Sequence, residues 1–425
     1  MKAVVFSLGC KVNSYEGQAI INLFHEMGHE ATDKIEPADV YVLNTCSVTA
    51  EADKKSRQAV ERLKKHNPDA KILVLGCSSQ NNPERFLCNQ KVTAVSGVGG
   101  KIEAVKRFMS DINRKNAVIS DINDQNRFYG CDLPTEYEDN LSPKSTMTRS
   151  YIKVQDGCNN FCTYCRIPYL RGRSRSRSID SIVREAYEVA RHSKEIILTG
   201  INVSDFKAEG GGLTKLVYAL KDVPARKRLS SLECEVIDEN LLVALGECGF
   251  CDHFHLSLQS GSDSVLKKMN RHYTVAEYLA KTKLIYSHFP FAAITTDIIA
   301  GFPTETEDDH NRCMDTARAA RFAAIHVFPY SERAGTAAVK LPQIDKAIRA
   351  KRAAQLIALG AELKDKFIAA NLGRIVEVYA ETQRDGLSEG YTSNYIKVYS
   401  PLGVGELGKV KLVSPYLDGI KGELL

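Results

Sequence analysis

The chain has 425 residues, 44% of them apolar and 26% charged, with a formal charge of +5 and 12 cysteines. That length exceeds one ordinary core and predicts two or three domains. No window approaches the roughly eighteen apolar residues of a membrane span, and the opening MKAVVFSLGC turns at Gly-Cys too early for a signal peptide. Cysteine is too sparse for a disulfide scaffold, so a cytoplasmic location is expected, with reduced thiols free to bind metal.

Residues 1–122 alternate strand-like and helix-like patterns. KAVVFSLGC, ADVYVLNTC and AKILVLGC read as strands. YEGQAIINLFHEMGHE, with Ile20, Leu23, Phe24 and Met27 at helical spacing, and EADKKSRQAVERLKKHNP read as helices, and VTAVSG with KIEAVKRFMSDI repeats the pairing. Such alternation predicts an α/β domain with a parallel sheet. Each of the first three strands ends at a cysteine, Cys10, Cys46 and Cys77, at spacings of 36 and 31 residues. Open parallel sheets bind ligands outside the carboxyl ends of their strands, so these thiols are expected to meet in space. A lone cysteine is as readily a small core hydrophobe. Three at one topological position suit a cluster or a zinc with an open site.

Residues 123–147, NDQNRFYGCDLPTEYEDNLSPKSTM, are polar and aperiodic and read as a linker. From 148 to 369, RSYIKVQDGC, KEIILTGIN, RLSSLECEV, HFHLSLQSG, AAITTDIIAGFP and AAIHVFPYS read as strands alternating with helices, the first helix capped by Ser178 or Asp180. Six βα units predict a barrel or partial barrel with its chemistry at the C-terminal strand ends. Residues 343–369 read as a trailing helix. The remainder, 370–425, breaks into short β-rich runs between Gly-bearing turns and predicts a small all-β barrel.

The segment DGCNNFCTYC places Cys158, Cys162 and Cys165 in a Cys-x3-Cys-x2-Cys loop. A closed zinc site needs a fourth ligand, and no histidine lies nearby in sequence. Three thiolates on a [4Fe–4S] cube leave one iron open to a substrate or cofactor. Between Lys144 and Arg177 eight Lys/Arg stand against one acid, Asp156. Within that run Arg171, Arg173, Arg175 and Arg177 suit the phosphates of an RNA. A solvated surface loop, or service inside the site, is the alternative reading.

These residues carry a resemblance. GCNNFCTYC after the first strand of a βα barrel resembles the CxxxCxxC loop of the radical S-adenosylmethionine (SAM) superfamily. With LGCKVNSYE, NTCSVT, LGCSSQ, RGRSRSR, LSLQSG, TTDIIAGFPTETEDD and FPYSERAGT, the chain resembles the methylthiotransferases from end to end, and GLSEGYTSNYIKV is similar to the RNA-associated TRAM domain. The resemblance implies an N-terminal α/β domain (1–122), a linker (123–147), a partial (β/α)6 radical-SAM barrel with trailing helix (148–369) and a TRAM barrel (370–425). It implies two [4Fe–4S] clusters. One, on Cys158, Cys162 and Cys165, cleaves SAM to a 5'-deoxyadenosyl radical. The auxiliary one, on Cys10, Cys46 and Cys77, holds the sulfur that another SAM methylates. Replacing the unactivated C2–H of an adenine needs both a radical oxidant and a sulfur carrier, since acid–base catalysis cannot reach such a bond.

By the same resemblance Tyr164, Thr199, Gly200, Asn202, Glu233, Gln259 and Asp297 are expected around SAM. The last three are equally good candidates for buried, hydrogen-bonded barrel residues. GCKVNSYE most resembles the branch that acts on N6-threonylcarbamoyladenosine at position 37 of tRNA; other branches take isopentenyladenosine or a ribosomal-protein aspartate. Implied partners are the tRNA anticodon stem-loop, an electron-donor protein and a sulfur source, with no membrane. A rival of another class is a non-catalytic iron–sulfur protein that binds RNA or transfers electrons. Tyr395 is expected to stack on a base, although alternate tyrosines in a small barrel also serve packing. Two positions depart from the family pattern: Arg166 follows the third loop cysteine where an aliphatic residue is expected, and Ala334 stands where relatives often have proline. Cys88, Cys131, Cys234 and Cys313 have no assigned role, and the Cys248/Cys251 pair lacks the second pair a zinc site would need.

Overall fold

The computed structural model describes residues 1–113, 127–139, 148–208 and 210–425. The N-terminal part is a five-stranded parallel sheet in the order Glu30–Thr32, Lys2–Ser7, Val40–Thr45, Lys71–Gly76, Ala94–Val95. Its central strand VYVLNT is apolar almost throughout because both faces are covered. Val40 and Val42 meet Ile20, Phe24 and Phe108 of helices Lys11–Glu26 and Lys101–Asn113, whereas Tyr41 and Leu43 meet Val60 and Leu63 of helix Ala50–His66. The strand order reverses between Lys2–Ser7 and Val40–Thr45, and the chain leaves those two strands at Cys10 and Cys46. That crevice is where open α/β sheets bind ligands.

Six parallel strands follow. Arg149–Lys153, Glu195–Thr199 and Arg226–Leu229 form one group and His253–His255, Ala293–Ala300 and Ala324–Pro329 the other. The bridges Lys227↔Phe250 and Leu232↔Leu256 join them into one curved sheet. Among the described residues the first and last strands do not pair, so the barrel is partial. Ile152 and Val154 point outward into the large apolar core beneath the helices, as alternation along a strand requires. Ser178, the first of the two candidate caps, caps helix Ile179–Ala190 by accepting from Ser181 N. The trailing helix runs Lys346–Asn371, with Leu356, Leu359 and Leu363 in the same core.

The last part is a closed five-stranded barrel, Ile375–Arg384, Leu387–Thr392, Lys397–Ser400, Gly419–Leu424 and Leu407–Tyr416. It docks at the N-terminal ends of the six parallel strands, opposite the cysteine loop. Arg226 and Arg228 donate to the carbonyls of Tyr391, Thr392 and Ser393, and Tyr379 Oη donates to Thr148 O.

Part of the stretch read as a linker is built into the fold. Arg127 is buried and donates to Thr93, Asn89 and Val92 carbonyls; Phe128 bridges to Val95, and Tyr137 Oη donates to Lys153 O. Its aperiodic sequence hides this because the pairing runs through backbone and one arginine. Residues 114–126 and 140–147 lie outside the described residues. Among the described residues no helix is long and apolar enough to cross a membrane.

Candidate active site between two cysteine triads

The cysteine loop leaves the first barrel strand through Gly157, whose φ is +72° and whose hypothetical Cβ would fall 1.9 Å from Arg173 O. Only glycine fits there. The loop is tied down at long range. Thr163 N donates to Met269 O (3.0 Å), Thr163 Oγ1 to Lys268 O (2.8 Å), and Asn270 Nδ2 to the carbonyls of Asn160 and Phe161. Three N–H groups point at its sulfurs: Asn160 N at Cys158 (3.5 Å), Ile167 N at Cys165 (3.4 Å) and Arg271 Nη1 at Cys162 (3.4 Å). Burial pushes the Cys165 thiol up to about 12, and the neighbouring Cys162 and Cys158 push the same way. The three sulfurs therefore share one site. Burial favours the protonated thiols of Cys158 and Cys165, whose protons a metal would displace.

The other triad closes the N-terminal sheet. Cys10 caps helix Lys11–Glu26, and Cys46 and Cys77 are 4% and 3% exposed. The preceding glycines are dictated by close approach. A Cβ on Gly9 (φ +98°) would lie 2.5 Å from Cys46 Sγ, and one on Gly76 (φ +105°) 2.6 Å from Thr45 O. Burial raises the Cys46 thiol to about 11; Cys10 and Cys77 add to the rise and Arg171 opposes it. Arg171, from the segment after the cysteine loop, reaches Cys77 Sγ (3.3 Å) and Asn13 Oδ1 (2.7 Å), so the cysteine end of the sheet packs against that loop.

Among the described residues no three His, Cys, Asp or Glu groups converge tightly enough to hold a single ion. A cube places each thiolate on a different iron, and both triads offer what it needs: three sulfurs, N–H donors to sulfur, and one cationic side chain.

The expected SAM residues fall in two groups. Glu233 lies at the loop, paired with both Nη atoms of Arg271 and accepting from Asn160 Nδ2 (3.2 Å). Asn202 lies beside Cys158, whose thiol burial pushes up and Asn202 pulls back only in part; its backbone N donates to Gln155 Oε1 (2.8 Å), and a Cβ on Gly200 would meet that oxygen at 2.9 Å. Thr199 is buried, with its carbonyl bound by Val154 N. Tyr164 packs edge-on against Phe302 at 6.5 Å. Gln259, at φ +65°, and Asp297 are joined by Gln259 N to Asp297 O, and Asp297 faces His255 Nε2 at 3.3 Å.

The arginine run requires a correction. Arg171 and Arg177 are each 1% exposed, and no buried guanidinium reaches a phosphate. Arg177 is ion-paired with Glu185 and Asp139. Arg175 turns inward to Asp156 (3.3 Å), and only Arg173 is exposed, over the Phe161 ring at 4.3 Å. Tyr395 has a packing role as well. Its ring stacks on His253 (4.6 Å) and Tyr391 (4.8 Å) and its hydroxyl accepts from Arg149 (3.0 Å), so it packs at the junction between the two barrels while remaining 36% exposed.

Arg171 and two arginines not singled out in the sequence, Arg271 and Arg333, complete the site. Arg271 and Arg171 each donate to a cysteine sulfur. Arg333, within FPYSERAGT, holds the Cys46 loop through Ser47 O (2.8 Å), Ser47 Oγ (2.7 Å) and Asp53 (2.7 Å). The two departures from the family pattern meet each other, Arg166 Nη1 donating to Ala334 O at 2.7 Å.

Residues 2–97 match the family described as Uncharacterized protein family UPF0004, and residues 152–317 match the radical SAM superfamily. The chain is 34% identical to threonylcarbamoyladenosine tRNA methylthiotransferase MtaB of Bacillus subtilis (strain 168), over 99% of this chain and 96% of that one. It is 33% identical to tRNA-2-methylthio-N(6)-dimethylallyladenosine synthase of Thermoanaerobacter sp. (strain X514), over 98% and 91%. The solved radical S-adenosylmethionine methyltransferase TsrM from Kitasatospora setae, with cobalamin and a [4Fe–4S] cluster bound, shares the fold. Its TM-score is 0.54 at 14% identity, over 77% of this chain and 71% of that one. Two cysteine triads on this fold, with relatives of such identity matched from end to end, place the chain in the radical-SAM tRNA methylthiotransferase family.

Proposed function

We propose that this protein converts N6-threonylcarbamoyladenosine at position 37 of tRNA to its 2-methylthio derivative. The observation that carries the reading is the pair of triads at facing ends of a sheet and a barrel. Cys158, Cys162 and Cys165 hold one [4Fe–4S] cluster with SAM at its open iron, and Cys10, Cys46 and Cys77 hold the auxiliary cluster. When bound, these groups supply the electron that cleaves SAM to a 5'-deoxyadenosyl radical and the sulfur that is methylated and transferred. The protein's own task is placement. The Asn160 and Ile167 amides and Arg271 orient and stabilise the loop thiolates, Glu233 fixes Arg271, and Asn202 and Gly200 shape the adjoining wall.

Two family acceptors differ in charge: threonylcarbamoyl carries a carboxylate, dimethylallyl none. Lys11, exposed beside Cys10, is a cation available to that carboxylate, whereas Arg149 and Arg228 are already paired with Glu381 and Glu195. Residues 1–122, 148–369 and 370–425 act as the cluster, radical and TRAM domains, with 127–139 strapping the first to the second. The protein works in the cytoplasm with an electron-donor protein and a sulfur source.

Mass spectrometry of tRNA nucleosides from cells with and without the gene tests the reading. Loss of the 2-methylthio form, with threonylcarbamoyladenosine accumulating, is expected. Loss of methylthio from isopentenyladenosine or a ribosomal protein instead would move the enzyme to another branch. Failure of the purified, reduced protein to form 5'-deoxyadenosine from SAM would make it a non-catalytic iron–sulfur protein.

A further inference from the structure

Arg171 ends the short helix Ile167–Arg171 that follows Cys165, yet its side chain reaches the other triad. All five guanidinium N–H groups have acceptors. Nη1 donates to Glu16 (3.0 Å) and Asp156 (3.1 Å), Nη2 to Asn13 Oδ1 (2.7 Å) and Glu16 (3.1 Å), and Nε to Cys77 Sγ (3.3 Å). The oxygen acceptors fix the plane of the fork, which leaves Nε aimed at sulfur. The acceptors reach both cysteine sites. Asn13 Nδ2 donates to Leu8 O (2.7 Å) and Thr45 O (2.9 Å), just ahead of Cys10 and Cys46, while Asp156 accepts from Gly157 N (2.8 Å), just ahead of Cys158.

Charge points the same way. Glu16 and Asp156 are the carboxylates of this buried network; Lys101, Lys153, Arg171 and Arg175 are its cations. Such an excess of buried positive charge is costly unless an anion completes it. A cluster held at Cys77 would supply that anion.

We propose that Arg171 is the positioning residue of the auxiliary site: it binds the Cys77 thiolate and supplies the positive charge that a thiolate-ligated cluster needs there. The second centre is thus completed by a residue of the radical-SAM loop, and the RGRSRSR run serves cluster chemistry rather than RNA at its first arginine. This rests on the reading that Cys10, Cys46 and Cys77 hold a cluster.

An N–H donor and a cation at a cluster sulfur favour the more reduced state, so their removal lowers the midpoint potential. The test uses anaerobically reconstituted full-length protein with Arg171→Lys, which keeps charge but loses the fork, and Arg171→Gln. Iron per chain, the thermal melt, and redox titration of each cluster by electron paramagnetic resonance are read. The auxiliary midpoint is expected to fall in both variants, further in Arg171→Gln, and by more than the midpoint of the SAM-binding cluster, which Arg171 reaches only through Asp156. Equal shifts in both clusters, or none, overturn the proposal. So does an Arg171→Lys protein that fails to fold, since the arginine is then a strut. If the wild-type protein itself holds only one cluster, the two-cluster reading fails instead, and the iron content of the unsubstituted chain separates the two failures.

Discussion

The two triads are assembled by opposite means. Cys158, Cys162 and Cys165 come from a single loop; Cys10, Cys46 and Cys77 come from the ends of three strands spread over the first 77 residues. Yet the environment of one sulfur is nearly the same in both. Arg271 donates to Cys162 at 3.4 Å and is held by Glu233; Arg171 donates to Cys77 at 3.3 Å and is held by Glu16. Spacing within a loop brings thiols together whatever surrounds it, whereas a triad on strand ends exists only when the whole sheet is in register. The loop triad is therefore vulnerable at its own residues, and the sheet triad also at residues that hold the strands.

The largest effect breaks the symmetry between them. Alanine at Cys158, Cys162 or Cys165 is expected to abolish reductive formation of 5'-deoxyadenosine, and with it all product. Alanine at Cys46 or Cys77 is expected to leave 5'-deoxyadenosine formation in place and abolish methylthiolated nucleoside. Chromatography of both products from the same reaction checks this, and methylthiolation by a Cys77→Ala enzyme would remove the sheet triad from the chemistry.

A smaller effect tests whether the two arginines do parallel work. Arg271→Lys keeps the charge but cannot bridge Glu233, Cys162 and the Ser257 carbonyl together. Residues that orient metal ligands typically cost about 10–100-fold in affinity or activity when changed. A loss of that size is expected in 5'-deoxyadenosine formation, with auxiliary iron retained. An unchanged rate would reduce Arg271 to packing.

The loop triad was legible because its spacing is the chemistry, and the sheet triad because one βα unit separates each cysteine from the next. The six-unit barrel and the terminal β barrel were legible from the change in period. The arginine run was not. Its acids are remote: Glu16 lies 155 residues before Arg171, and Asp139 and Glu185 flank Arg177 from a neighbouring segment and from the next helix. Local composition showed only unopposed cations. The packing role of Tyr395 was hidden for a similar reason, since its partners His253 and Arg149 belong to the other barrel. Burial of charge depends on long-range pairing, which no local pattern carries.

Gly9 offers a substitution that separates the triads by geometry alone. Gly9→Ala places a methyl where Cys46 Sγ already lies, at a φ of +98° that alanine resists. Overpacking of this kind costs about 1–3 kcal/mol, and here the strain falls on a ligand. Iron content is expected to drop at the auxiliary site while SAM cleavage continues; full loading of both sites would show that the Cys10 turn relaxes freely.

The smallest effect concerns RNA, and it sorts the arginines by exposure. Arg173 alone in the run is exposed, poised over Phe161 at the rim of the loop, while Arg171 and Arg177 are sealed inside. A single phosphate contact contributes about 0.9 to the slope of log affinity against log salt. Arg173→Ala is therefore expected to lower that slope for tRNA by about one, with the fold and both clusters intact, in a filter-binding titration at several salt concentrations. A buried ion pair behaves otherwise. Arg177→Ala removes the cation facing Glu185 and is expected to cost about 3–5 kcal/mol of stability, read in a thermal melt with no tRNA present. If instead Arg173→Ala leaves the slope unchanged, the cysteine-loop rim does not touch phosphate, and the tRNA must be gripped by surfaces other than the one the arginine run suggested.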